Sequence, residues 1–450
     1  VASAAARLAR LTRGAGLALA MLAFAAGTAR ALDQSSPEYR GAFEAMQADP
    51  GSADKALEFA HVAIEAGDIE GALGALERLL IFNPDLPRIR VEIGILYYRL
   101  GSYEEAQAYL RRVLDDSKLT ADDRARAEDF LSRTERGASN FQWHANFTSG
   151  TRWQSNANFG PTTGLARLIG FDFPVSGLGA RRADWSFIGA YGGSASYDPN
   201  LDTEVPFVLE ANVNGFGQKQ LKREDLDLFY VQPDFGPRFR LDGVSQGLTV
   251  RPYGLMNYFA VQANNFLMSS GGGVNVNAPI TNWFILDTTF EAQDRHYTPN
   301  GLRPLIQDRT GGFEAVQIKP AFALTDNQVM SLLIERDKVE ANQRYQRAAY
   351  YLLGSTYLIR YAAPWGLTDQ PWYNTVGLTR TWRFYETENF LIDPTQAERD
   401  RQWDAVLSQT IGLAENVALI VQLSETINAS NSPNYAYKDF TVLTAISVQF

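Results

Sequence analysis

Three histidines, His61, His144 and His296, are the most versatile acid–base and metal-binding side chains of this sequence, and their spacing argues against both roles. None belongs to an H-x-x-x-H or H-E-x-x-H run, the spacings that set two imidazoles on one helix face. Gly271-Gly272-Gly273 is followed by no Lys-Ser or Lys-Thr pair that could cradle a phosphate. Cysteine is absent, which removes disulfides, thiolate metal sites and cysteine nucleophiles together. The expectation is a protein that is not an enzyme and uses neither metal nor cofactor. What remains with chemical potential is a set of charges at even spacing: Asp287, Glu291 and Arg295 in one run, Glu335 and Asp337 in another. On an extended strand, even spacing puts each set on one face. In a barrel wall a lipid-facing Arg or Lys at midplane costs about 2 to 4 kcal/mol and a carboxylate somewhat less, so these faces should point into the lumen.

Arg309, Lys319, Arg336 and Arg360 are the candidate partners for these carboxylates. Two roles are open to the group: a salt network that holds the wall, or a polar conduit that binds a polypeptide. Arg336 conflicts with the scheme, because it shares parity with Met330, Leu332 and Ile334 and should snorkel near an interface. The net charge of −10 argues against nucleic acid, whose phosphates call for a basic excess.

The elements that must position these residues divide the chain in three. Residues 1–31 have the pattern of a secretory signal, with Arg7, Arg10 and Arg13 before an apolar run at 14–26 and Ala29-Arg30-Ala31 as the small-residue cleavage site. No later stretch is apolar enough for a membrane-spanning helix, so membrane residence requires strands. Residues 32–140 show helical periodicity and repeat at an interval of 34 residues: Pro50 recurs as Pro84, Gly67 as Gly101, Ala72 as Ala106, Leu76 as Leu110 and Leu80 as Leu114. From 141 to 450 the period changes to two. Fourteen alternating segments begin near Phe141, Arg182, Val205, Asp225, Gly247, Gln262, Asn282, Arg309, Asn327, Gln346, Pro371, Asp400, Asn416 and Ala436. In the last, Phe440, Val442, Thr444, Ile446, Val448 and Phe450 share one face. The fold class is therefore a short α-solenoid followed by an antiparallel transmembrane β-barrel of about fourteen strands. Long connections near 154–181, 298–308, 387–398 and 429–435 fall at the outer end if the helices are periplasmic.

The helical repeats resemble tetratricopeptide repeats over two copies, 53–86 and 87–120, with Ile93, Gly94, Tyr97, Gly101, Tyr103, Ala106 and Leu110 at the packing positions of that family. Additional helices at 39–47 and 121–133 should close the ends. The resemblance implies that first helices form a concave partner-binding face, here Leu57, His61, Ile64, Val91, Ile95, Tyr98 and Arg99, unless the opening helix around Phe43 and Met46, or the barrel rim, covers it. Phe450 ending an alternating strand resembles the signal read by the bacterial barrel-assembly machinery.

The whole arrangement is similar to the surface lipoprotein assembly modulators, in which a periplasmic tetratricopeptide unit precedes a fourteen-stranded barrel. The similarity rests on Gly150-Thr151-Arg152-Trp153-Gln154-Ser155-Asn156-Ala157-Asn158, on Arg380-Thr381-Trp382-Arg383-Phe384-Tyr385 with Asp393-Pro394, and on Asn428-Ala429-Ser430-Asn431 with the strand after it. It implies a bacterial outer-membrane protein, surrounded by outer-membrane lipid, that helps a periplasmic polypeptide, a lipoprotein above all, to reach the surface. Two other functions fit the same elements: an exopolysaccharide secretion porin, and a scaffold that transports nothing.

Overall fold

The computed structural model describes residues 36–450 apart from Asp202 and Leu302, so the signal-like segment at 1–31 lies outside the described residues. Two compact units follow one another, the first ending at Gln142 and the second beginning at Trp143.

In the first unit, α1 (Pro37–Ala48), α2 (Ala53–Glu65), α3 (Ile69–Phe82), α4 (Pro87–Arg99), α5 (Tyr103–Leu114) and α6 (Ala121–Gly137) pack in sequence. The helix starts follow from capping chemistry. Ser36, Ser52 and Asp68 accept hydrogen bonds from otherwise unpaired first-turn N–H groups, and Pro37 and Pro87 occupy first-turn positions that need no donor. Gly67 and Gly101 hold φ of 78° and 76° between paired helices, a conformation that favours glycine. Ala60, Ala63, Ala72 and Ala75 bring α2 and α3 together around Phe59, Leu76 and Leu79. The phenol of Tyr39 donates to Asp68, and burial together with that hydrogen bond pushes its pKa up to about 12. Tyr97 donates to Glu77 at 2.7 Å, ties α4 to α3, and is likewise held at about 12, chiefly by that bond.

The second unit is a closed antiparallel barrel of fourteen strands. They are β1 (Phe141–Gln154), β4 (Asp184–Tyr197), β5 (Phe207–Gln220), β6 (Leu228–Arg240), β7 (Thr249–Val261), β8 (Asn264–Thr281), β9 (Phe284–Tyr297), β10 (Gly311–Thr325), β11 (Gln328–Ala341), β12 (Ala348–Tyr361), β13 (Trp372–Glu388), β14 (Ala397–Ala414), β15 (Val417–Ser430) and β16 (Tyr437–Gln449). A small hairpin, β2 (Leu165–Leu168) and β3 (Phe171–Pro174), stands apart from the wall inside the first long connection. Each barrel strand starts within three residues of its expected position.

Closure joins β1 to β16, from Asn146 opposite Gln449 to Gln154 opposite Thr441. The chain enters the barrel at a proximal mouth whose connections include the tight turns Asn282-Trp283, Asp326-Asn327 and Glu415-Asn416. The opposite, distal mouth carries the long connections at 155–183 and 298–310. Outward residues such as Val376, Leu378, Leu407 and Leu423 are exposed and apolar, while Asp439 and Ala445 on the other face of β16 are buried. Aromatic pairs band the outer wall at two levels. Near the proximal mouth stand Phe207 with Phe239, Phe284 with Phe322, and Tyr361 with Trp372. Toward the distal mouth stand Trp153 with Phe440, Phe229 with Tyr258, and Tyr351 with Phe384. On β13 the levels are marked by Trp372 and Trp382, an interval that on a tilted strand rises roughly 25 Å along the barrel axis, the height of a lipid-facing band.

Candidate functional site

The inner wall places the expected lumenal charges on one side of the barrel. Register sets Glu291 of β9 opposite Ala315 of β10 and Ala315 opposite Asp337 of β11, so the carboxylates of the two runs share the inward face. Their partners differ from those expected. Glu291 accepts from the Tyr253 hydroxyl at 3.0 Å and from the Gln293 amide, Glu335 accepts from Gln317 at 2.8 Å, and Asp287 is held by the amides of Asn275 and Asn277 at 3.0 and 3.2 Å. Arg295 donates to Gln293 at 3.1 Å and lies 3.3 Å from the centroid of the Phe313 ring. Asp337 is buried beside Glu335. Arg309 instead donates to Gln346 at 3.0 Å, and Arg336 is exposed on the outer face opposite Val316 and Tyr351. Neutral amides and a phenol, rather than the four basic residues, satisfy Glu291, Glu335 and Asp287, whereas one oxygen of Asp337 is buried without a hydrogen-bond partner among the described residues. The expected salt network with Arg309, Lys319, Arg336 and Arg360 is corrected accordingly.

A cavity of about 260 Å³ opens among Tyr230, Phe259, Glu291, Arg295, Phe313 and Glu335. Hydrogen bonds continue from it through Asn257, which receives the Tyr230 hydroxyl at 3.1 Å and donates to Ser269 at 2.9 Å. A wider space of about 480 Å³ near the proximal mouth is lined by His144, Asn146, Asn212, Asn214 and Gln449. Amides both donate and accept, so this wall can bind a neutral polar chain in either sense. Sequence reasoning missed a buried ion-pair cluster of the wall. Arg251 of β7 pairs with Glu210 of β5 at 2.9 Å and with Asp234 of β6, and Arg238 reaches Glu210 at 2.6 Å. Even spacing of Asp234 and Arg238, and a lone Arg251 on an otherwise apolar stretch, were the signals present.

At the distal mouth the three segments that carried the lipoprotein-modulator resemblance come together. Asp439 of β16 accepts from the Asn156 backbone at 2.8 Å, from Gln154 at 3.0 Å and from the Ser155 hydroxyl at 3.2 Å. The fully buried Asn156 closes a small loop through two 2.9 Å bonds with the backbone of Gly160. Asn158 donates to the Ala180 carbonyl at 2.8 Å. Arg167 of β2 donates to Asp393 at 2.8 Å and to Asp172 at 2.7 Å, while Ile169 and Gly170 N–H groups donate to the carbonyls of Leu391 and Ile392. Asp393 also accepts from the Thr395 hydroxyl and from Gln396, and these bonds with Arg167 hold its carboxyl well below the usual carboxylate range. The β2–β3 hairpin is thereby fastened to the β13–β14 and β15–β16 connections.

In the helical unit, Val91 and Ile95 are buried against Leu110, Val113 and Ala127, so they are core residues and do not face a partner. The cause is α6, which covers that side of α4 as the first helix of a further repeat would. Tyr98 packs edge-on to Phe130. Leu57 and Ile64 are half-buried, and His61 and Arg99 are exposed. His61 lies 3.5 Å from Glu65, and His296 faces outward opposite Met268.

Gly243-Val244-Ser245-Gln246-Gly247 has the spacing of a nucleophile elbow. It forms the turn between antiparallel β6 and β7 rather than a strand-to-helix turn, Ser245 is exposed, and no histidine lies in that turn. Among the described residues no three His, Cys, Asp or Glu side chains are grouped to hold a metal ion.

Fourteen paired strands, an apolar outer wall banded by aromatics and a polar inner wall define an outer-membrane β-barrel, here preceded by tetratricopeptide-like helices. Residues 60–132 match the tetratricopeptide repeat family. No curated protein sequence matches the chain. Solved structures with a similar course include the outer membrane protein opdK from Pseudomonas aeruginosa, at 8% identity and a TM-score of 0.33, covering 69% of this chain and 99% of that one. OccAB3 of Acinetobacter baumannii matches at 9% identity and a TM-score of 0.34, covering 68% and 99%. A bacterial polysaccharide outer membrane secretin matches at 8% identity and 0.32, covering 68% and 98%.

Proposed function

We propose that this protein assists the export or surface display of a periplasmic polypeptide, a lipoprotein being the favoured cargo, with its helical repeats in the periplasm holding the cargo or a partner. The observation that carries the reading is the convergence at the distal mouth. Segments around Asn156, Asp393 and Asn434, distant in sequence and similar to those of the surface lipoprotein assembly modulators, are tied to one another there. The amide-lined wall suits a polypeptide backbone, which presents the same donors and acceptors. In this reading His61 and Arg99 are the accessible part of the helical binding face, and the barrel-assembly machinery reads Phe450. The aromatic side chains Tyr230, Phe259 and Phe313 beside the inner cavity favour one alternative, an exopolysaccharide porin, because sugar faces stack on rings.

The deciding experiment is protease shaving of intact cells with and without the gene. Loss of surface-exposed lipoproteins, with total lipoprotein unchanged, supports the reading. Unchanged lipoprotein display together with loss of surface polysaccharide replaces it by the alternative, and loss of neither leaves a scaffold.

A further inference from the structure

The outer wall near the distal mouth carries a row of cations set among aromatic rings. Strand pairing places Arg380, Trp403, Ile427 and Lys438 in line across β13, β14, β15 and β16. The next line toward the mouth contains Trp382, Arg401 and Ala429, and Arg399 stands opposite Phe384 one step beyond. These residues share parity with the lipid-facing Val376, Leu378, Leu407 and Leu423. The Arg380 guanidinium lies 4.6 Å from the Trp403 ring and 5.5 Å from the Trp382 ring, which holds it against both. Arg399, Arg401 and Lys438 are exposed. None of the four cations forms a salt bridge among the described residues. Glu386 is taken by Arg344 and Arg347, and Glu425, a row deeper opposite Phe440, pairs with neither Lys438 nor an arginine.

Depth identifies the partner. Trp403 and Phe440 belong to the distal aromatic belt, and Arg401 and Lys438 each follow one of them by two residues toward the mouth, a rise of about 5 Å along the barrel axis. That is headgroup depth, where a cation is tolerated, whereas the hydrocarbon below rejects it. We propose that Arg380, Arg399, Arg401 and Lys438 form a site for the phosphate groups of anionic lipid in the leaflet at the distal mouth. Three of the four are arginines, whose fork matches two phosphate oxygens at once. The immobilised Arg380 loses little further freedom when it binds.

The test uses the full chain in phosphatidylcholine vesicles containing a minority of phosphatidylglycerol, with one or the other lipid brominated to quench tryptophan. The difference between the wild-type chain and W382F/W403F isolates the two reporters at the site. Brominated phosphatidylglycerol is expected to quench them beyond its bulk share. Each of R401Q, R399Q and K438Q is expected to lower that enrichment about five-fold, until the bulk ratio is reached. Equal quenching by both lipids in the wild-type chain overturns the proposal, as does enrichment unchanged in R399Q/R401Q. Inorganic phosphate at constant ionic strength distinguishes the sources, since abolition of the enrichment would assign the site to the free anion. Heat-modifiable migration checks folding, and if the double variant fails to insert, R401Q alone decides by the same criterion.

Discussion

Arg251 shows how a single residue holds the barrel's inner wall. It is buried between Glu210 and Asp234, so its removal leaves Asp234 without a cation, with only the Asn212 amide, while Glu210 keeps Arg238. Replacing Arg251 by Met is expected to destabilise the barrel by about 3 to 5 kcal/mol, read from urea unfolding in lipid, because breaking a buried pair leaves uncompensated charge. D234N in the same background should recover most of the loss, since Glu210 retains Arg238. At the distal mouth Asp393 sets a pH dependence. Its hydrogen bonds from Thr395 and Gln396, with Arg167, favour the ionised form in the folded protein, so its contribution is complete above the ordinary carboxylate range. It is lost as pH falls through that range toward the depressed value. Protection factors of the β2–β3 hairpin amides, with exchange corrected for its intrinsic pH dependence, should therefore fall in acid, and those of D393N should be low at neutral pH as well. An acid response that persists in D393N would remove this residue as its cause.

Among the elements, α4 separates what can be read from a sequence and what cannot. Its limits, its 34-residue relation to α2 and its small contact residue Gly94 are visible in the repeat pattern, because helix pairs of this kind repeat their packing residues. Which face is covered was not visible, since Val91 and Ile95 look alike whether they line a groove or meet α6. Substituting Ile95 by Ala should cost about 2 to 5 kcal/mol and lower the helix melting transition, as cavity formation in a core does. Exposed Arg99, changed to Glu, should leave melting unaffected and reduce cargo capture. Strand starts were legible for a similar reason, since alternation and turn residues are local. The β2–β3 hairpin was not, because Arg167 finds Asp393 only after the wall has formed. Carboxylate partners were equally hidden, because charge suggests charge, whereas Asn275, Gln293 and Gln317 supply the donors.

At the scale of the whole molecule, the inner cavity has an uneven field. Glu291 and Glu335 face it with Arg295 as the cation in its lining, and the low-dielectric wall concentrates their potential. Current through the barrel in planar bilayers is expected to favour potassium over chloride, and E291Q/E335Q should move the reversal potential toward zero. A preference for chloride in the unmodified chain would contradict the placement of these carboxylates on the conducting path.

Asp439 and Gln154 meet across 285 residues of chain, and this separation orders events during assembly. Until β16 is present, β1 has an open edge, a run of unpaired N–H and C=O groups that any strand in the periplasm can template upon. Contacts this distant in sequence form late, since the entropy of closing so large a loop must be met before they contribute. The Asn156–Asp439 junction therefore acts as the final stitch. D439A chains should accumulate as open, protease-sensitive intermediates, while strands β5 to β13, whose neighbours are local, acquire protection at the normal rate. The same topology makes the time between emergence of β1 and arrival of β16 the interval of greatest exposure to misfolding.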